Sequence, residues 1–170
     1  MKNALVVGGT RGIGKALAGQ LKELSWSVIA TGRDDLDMAD PGGWDRFMRP
    51  LLLQQFDFVC FCAGEIDAFP WNRKSADDYI RAYLIHALGP VQLLAQYPSR
   101  FPWWATVAFI SSVGAINTGI VDLGYSMAKA ALDRAAKALA EHAAWNVKLI
   151  RYDLVSTDTY YRLPTETLHW

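Results

Sequence analysis

Apolar and polar positions along the chain follow two alternating periods. The runs "ALVV" (4–7), "WSVIATG" (26–32), "FDFVCFCAG" (56–64), "WATVAFISS" (104–112) and "NVKLIRYDLV" (146–155) are short, rich in β-branched and aromatic residues and bounded by turns. Each predicts a buried strand. Between them, "KALAGQLKELS" (15–25), "WDRFMRPLLLQQ" (44–55), "SADDYIRAYLIHALGPVQLLAQY" (75–97) and "YSMAKAALDRAAKALAEHAA" (125–144) place apolar residues every three or four positions and predict helices. Ser75 can cap the third of these, and Gly89-Pro90 should kink it. "RDDLDMADPGG" (33–43) is too short and polar to hold a further full helix. Strands alternating with helices predict an α/β fold, a parallel sheet covered on both faces, formed as a single domain over residues 1–170.

Composition narrows the partners. Seventeen basic residues balance seventeen acidic ones among 170, and no block of like charge occurs. Neither a nucleic acid nor an anionic membrane surface is expected as a partner. The longest apolar stretch, "WWATVAFI", is too short to span a bilayer, and the amino terminus reaches glycines too early for the apolar core of a signal peptide. Cys60 and Cys62 flank Phe61 on a predicted strand. They should share a face without being well placed to bond each other, as reduced thiols of a cytoplasmic protein. No metal site is expected.

The first strand runs into "GGTRGIG", with glycines at 8, 9, 12 and 14 ahead of the first helix. Glycine there permits a sharp turn, close approach of a pyrophosphate and tight packing of helix on strand, while the helix amino terminus offers N–H donors. Farther along, "GYSMAKAAL" sets Tyr125 and Lys129 four residues apart, so that both rise on one helical face. An adjacent ammonium favours the phenolate and should lower the phenol's pKa towards working pH. Taken alone, a surface pair with a capping serine explains these residues equally well.

Together these motifs resemble the short-chain dehydrogenase/reductase family from residue 4 to about residue 158. "VVGGTRGIGKALA" is similar to its TGxxxGxG turn, with Val7 at the threonine position. "LDMAD" resembles the segment that contacts adenine, "FCAG" its NNAG, and "ISSVGA" followed by "YSMAK" its serine and YxxxK signatures. The family implies a Rossmann-like doubly wound sheet of about six strands in the order 3-2-1-4-5-6. It also implies oxidation of a secondary alcohol or reduction of a ketone, as a small-molecule substrate, by a nicotinamide cofactor. In that scheme Tyr125 is the acid/base, Lys129 tunes it and binds the nicotinamide ribose, and Ser112, thirteen positions before the tyrosine, anchors the substrate oxygen. The family's helix asparagine aligns with His86, a possible relay or simply a core residue.

The resemblance further implies cofactor contacts at Gly8, Thr10, Arg11, Gly12, Ile13 and Gly14 in the turn, at Asp37 and Met38, at Cys62, Ala63 and Gly64, at Tyr125 and Lys129, and at Thr157 near the nicotinamide amide. The second strand ends in Gly32 and Arg33 where a carboxylate would bind an adenosine ribose. Arg33, helped by Arg11, suits a 2′-phosphate, so NADP(H) is expected ahead of NAD(H). The alternative is that Asp34 or Asp35 binds the ribose of NAD. Only thirteen residues follow Thr157, which shortens the family's substrate-binding tail. A homodimer or homotetramer is expected, built on the long helix and the small-residue YxxxK helix. The rival readings are a weakly catalytic cofactor-binding regulator or scaffold, and a non-redox isomerase or cyclase.

Overall fold

The computed structural model describes residues 1–51, 53–66, 70–117 and 122–153. Five strands, β1 (Asn3–Val7), β2 (Ser27–Thr31), β3 (Phe58–Phe61), β4 (Thr106–Ser112) and β5 (Asn146–Tyr152), form one sheet in the order β2-β1-β3-β4-β5. Every pairing is parallel, with Val7 opposite both Thr31 and Phe61, and Phe61 opposite Phe109. The parallel α/β sheet expected from the alternation, of the Rossmann-like doubly wound class that the family resemblance implies, is what the chain forms.

The expected order 3-2-1-4-5-6 is present without its outermost member. Among the described residues the segment after β2 passes directly into α2 (Pro41–Met48), with no strand beyond β2. The nine residues from Gly32 to Asp40 are too few for a crossover helix and another strand. Pro41 occupies the first turn of α2, where its missing N–H costs nothing, and Pro50 limits its continuation to a single 3₁₀ turn, Arg49–Leu51. The helix thus starts three residues earlier than its apolar spacing suggests and ends earlier too.

Alternation along the strands separates two layers. Leu5, Val7, Val59, Phe61, Val107 and Phe109 face a large core with Trp44, Met48, Phe56, Leu93, Phe101 and Leu132. Ala4 and Val6 face α1 (Gly12–Glu23) through Ala18 and Leu21, while Cys60, Ala108 and Ile110 meet Ile13 and Leu17 of the same helix. The cysteines share a face as expected, their thiols hydrogen-bonded at 3.4 Å and not joined as a disulfide.

The third helical stretch divides as α3 (Ala76–Tyr83), a π-helical turn at Leu84–Leu88, and α4 (Gly89–Gln96). Ser75 begins it with a capping box: the Asp78 N–H donates to Ser75 Oγ, and the Ser75 N–H donates to Asp78 Oδ2 at 2.7 Å. The kink expected at Gly89-Pro90 takes the form of the π turn. Pro90 has no N–H to give and its ring would crowd the carbonyl four residues back, at His86; widening the turn relieves both. The last helix, α5 (Leu123–His142), is capped by Asp122, whose carboxylate accepts the Tyr125 N–H at 3.1 Å. No helix among the described residues is long and apolar enough to cross a membrane.

Candidate active site

The crevice lies at the carboxyl ends of β1, β3 and β4, where the sheet's winding reverses. Its floor is the glycine turn. Gly8 and Gly12 have φ of +79° and +53°, conformations that side chains rarely adopt. A Cβ on Gly8 would stand 2.5 Å from the Ala63 nitrogen, and one on Gly14 would stand 2.2 Å from the Gly8 carbonyl oxygen. The turn is therefore pressed against the end of β3 and under its own helix, and the Cys62 N–H donates to the Val7 carbonyl at 2.8 Å to hold the two strand ends together. Arg11 stands at the N-cap of α1 with no side chain capping the helix, and the first turn carries no acidic residue. Ile13 points its side chain to the Cys60 patch rather than upward.

At the β2 side of the crevice, Met38 is buried against Gly89, where a Cβ would meet the Met38 carbonyl oxygen at 2.7 Å. Asp37 binds its own turn: Oδ1 accepts the Ala39 N–H at 2.8 Å and its carbonyl accepts Trp44 Nε1 at 2.9 Å. Asp35 Oδ2 accepts the Gly32 N–H at 2.8 Å, which commits that carboxylate to the turn. Arg33 is ion-paired to Glu65, a residue sequence reasoning did not single out. Glu65 also takes Arg81 Nε at 2.7 Å, and Arg81 reaches Asp37 at 3.8 Å.

At the β4 side of the crevice, α5 and the end of β4 bring Ser112, Tyr125 and Lys129 together. Ser112 Oγ accepts the Gly114 N–H at 3.1 Å, and a Cβ on Gly114 would stand 3.4 Å from that oxygen and 3.9 Å from Tyr125 Cε1, which puts the serine and the phenol around one glycine. Lys129 is buried, its Nζ donating to the Ile110 carbonyl at 2.6 Å and lying 5.6 Å from the Tyr125 ring centroid. Burial pushes this ammonium down to about 8, against smaller opposing pulls from Cys62, Asp133 and Cys60.

The expected lowering of the Tyr125 pKa is not what this geometry produces. Desolvation raises it, the hydrogen bond from Ser112 lowers it by less, and the Asp122 carboxylate raises it further. Spacing does put both groups on one face, but the amine is spent on a backbone carbonyl and the half-buried phenol is largely desolvated.

His86, carried inward by the π turn, stands edge-on to the Tyr125 ring with centroids 4.9 Å apart. Its Nε2 lies 2.9 Å from the Glu65 carbonyl oxygen, while Nδ1 is buried without a partner among the described residues. The Glu65 nitrogen also lies 3.5 Å from Nε2, but the much shorter contact is to the carbonyl, which can only accept, so Nε2 carries the proton and Nδ1 presents a lone pair. Burial first, then the Lys129 charge, holds the imidazole well below its ordinary pKa and hence neutral. Gly64 makes room for it, since a Cβ there would meet Cε1 at 2.9 Å.

Two features escaped sequence reasoning. Lys74 and Asp122 form a buried ion pair at 2.7 Å, each side chain only 3% exposed, so that one carboxylate both caps the Tyr125 helix and neutralises a lysine 48 positions away. The cap itself is legible as an aspartate before an apolar run; its partner is not. The π turn had a signal in Pro90. Thr157 lies outside the described residues.

A family model described as "NAD dependent epimerase/dehydratase family" matches residues 4–159. No curated protein sequence matches the chain. Among solved structures, a short chain dehydrogenase family protein from Francisella tularensis is similar with a TM-score of 0.82 at 19% identity, covering 94% of this chain and 72% of that one. A small-chain dehydrogenase in complex with NADPH gives 0.85 at 21%, covering 97% and 76%. A 4-hydroxyisoleucine dehydrogenase complexed with NADH gives 0.81 at 20%, covering 93% and 78%. At these identities the likeness establishes the fold.

Proposed function

From the premise that this chain belongs to the NAD dependent epimerase/dehydratase family and has the short-chain dehydrogenase type of fold, we propose that it is an NADP(H)-dependent oxidoreductase acting on a ketone or secondary alcohol. The observation that carries the proposal is the convergence of Ser112, Tyr125 and Lys129 at the end of β4 beside the glycine turn. A scaffold would need none of the three.

The turn fits a dinucleotide. Glycine at 8 and 14 lets the turn close against the end of β3 and beneath its own helix, and the α1 amino terminus carries no competing carboxylate. Gly8, Thr10, Arg11, Gly12, Ile13 and Gly14 would line the pyrophosphate end, Met38 and Asp37 the adenine, Cys62 to Gly64 the ribose edge, and Thr157 the nicotinamide amide. Arg33 would meet a 2′-phosphate. Bound in its reduced form, the cofactor supplies a hydride.

The chain's own residues supply a proton and alignment. Ser112 holds the substrate oxygen next to the Tyr125 hydroxyl. Because burial keeps that phenol protonated, Tyr125 is poised as the donor that the reductive direction needs: its O–H bond breaks as the new alcohol O–H forms. Lys129, its Nζ 5.6 Å from the phenol ring, would keep a positive charge near the tyrosine until a proton is returned. The neutral His86 offers Nδ1 as an acceptor behind the ring. Exposed Ile80 and Tyr83 on α3 and Met127 on α5 give apolar surface on two helices that pack together, which supports self-association.

The test is loss of NADPH absorbance with a panel of ketones, alongside calorimetric titration of NADPH and NADH. Turnover of any ketone together with tighter NADPH binding is the expected result. Binding without oxidation across the panel would transfer the proposal to a regulator, and equal affinities would remove the NADP(H) preference.

A further inference from the structure

The ion pair between Arg33 and Glu65 crosses the crevice. Arg33 follows β2 and Glu65 follows β3, and in the sheet these strands flank β1. A contact between the two side chains must therefore pass over the carboxyl end of β1, where the glycine turn lies. Glu65 is held from both sides: Arg33 on one, Arg81 Nε at 2.7 Å on the other, with Arg81 continuing to Asp37 at 3.8 Å. Four side chains thus alternate positive and negative in one connected series of ion pairs.

We infer that Glu65 is a cofactor-tuning residue, an ionic strap that competes with an adenosine 2′-phosphate for Arg33 and Arg81 and so moderates the preference for the phosphorylated cofactor. The inference rests on the dinucleotide reading of the crevice and adds a residue outside the glycine turn. Charge and reach are both suited to the exchange. A phosphate monoester bears nearly two negative charges and three acceptor oxygens, enough to engage both guanidiniums, whereas a ribose hydroxyl offers neither. A ligand without the 2′-phosphate has to leave the strap closed or open it without compensation. The Glu65 backbone carbonyl meanwhile accepts from His86, so replacing the side chain leaves that contact in place.

The experiment is calorimetric titration of adenosine 2′,5′-bisphosphate and 5′-AMP into the wild-type protein and into Glu65→Gln and Glu65→Asp variants. Both substitutions are expected to tighten the bisphosphate by about three- to tenfold, the scale of partly exposed ion pairs acting together, and to leave 5′-AMP unchanged. Asp retains the charge but loses a methylene of reach. If Gln tightens binding while Asp behaves as wild type, the effect is a field of charge and the strap is overturned. Unchanged affinities in both variants, or equal tightening of both nucleotides, overturn it as well, while leaving the dinucleotide reading standing. Failure of all three proteins to bind either nucleotide removes the dinucleotide reading and the strap with it.

Discussion

The imidazole of His86 meets the ring of Tyr125 edge-on, with centroids 4.9 Å apart and planes at 85°, in a setting that buries the histidine and half-buries the tyrosine. The histidine is neutral there, with Nδ1 unpartnered among the described residues, and it touches the phenol proposed to transfer a proton.

His86→Asn is therefore expected to leave NADPH affinity intact and to reduce turnover by roughly tenfold with an altered pH–rate curve. It also has a stability signature. The folded pKa is depressed, so below about pH 6.5 the unfolded chain takes up a proton that the native protein refuses, and the wild type loses about 1.4 kcal/mol per pH unit relative to the variant. Urea unfolding of both proteins at pH 7 and pH 5 measures the difference; parallel losses would show that the imidazole is not held neutral.

Lys129 gives the same kind of effect at the alkaline end. Its folded pKa is moved from 10.5 to about 8. Between those values the unfolded chain binds more protons, so stability contributed by this site rises with pH and is flat above about 10.5. Replacing it in Lys129→Met should remove a gain of a few kcal/mol over that window. The difference between wild-type and variant denaturation midpoints at pH 8 and pH 10.5 reads it directly, with other titrating groups cancelling.

Tyr125→Phe removes one oxygen and keeps the ring that packs on His86. Turnover should fall by about two to four orders of magnitude, the range for loss of a positioned proton donor, with dinucleotide affinity changed less than about threefold. Steady-state rates and calorimetry on one preparation separate the two quantities. Retention of more than a tenth of the activity would exclude Tyr125 as the donor.

The Lys74–Asp122 pair predicts coupling between two distant segments. Lys74→Met leaves a carboxylate buried at the start of α5 and should cost about 3–5 kcal/mol. Asp122→Asn keeps a cap for the Tyr125 N–H and loses the charge, so the double variant should be less destabilised than the sum of the single ones. A urea double-mutant cycle measures this coupling; additivity would mean that the pair contributes nothing net.

Much of this arrangement is legible along the chain. The five strand-like runs, the helix cap at Ser75, the glycine turn and the shared face of Tyr125 and Lys129 all depend on neighbours within one turn or one strand. Residues 33–43 could be read as too short for a further crossover, and the sheet indeed has nothing beyond β2 among the described residues. The start of α2 was misplaced because Pro41 and Pro50 outweigh apolar spacing over so short a helix.

Local periodicity thus determined the order of elements, the faces they bury and the residue types gathered at the carboxyl ends of the strands, because steric and hydrogen-bonding preferences act over a few positions. Tertiary structure alone decided what those groups do to one another. It turned the Lys129 amine to the Ile110 carbonyl, raised the phenol it was expected to acidify, brought Lys74 to Asp122 and drew Glu65 across β1 to Arg33. Burial and partnership arise from segments tens of residues apart, and desolvation, the strongest influence on Tyr125, Lys129 and His86, exists only once those segments have closed around them.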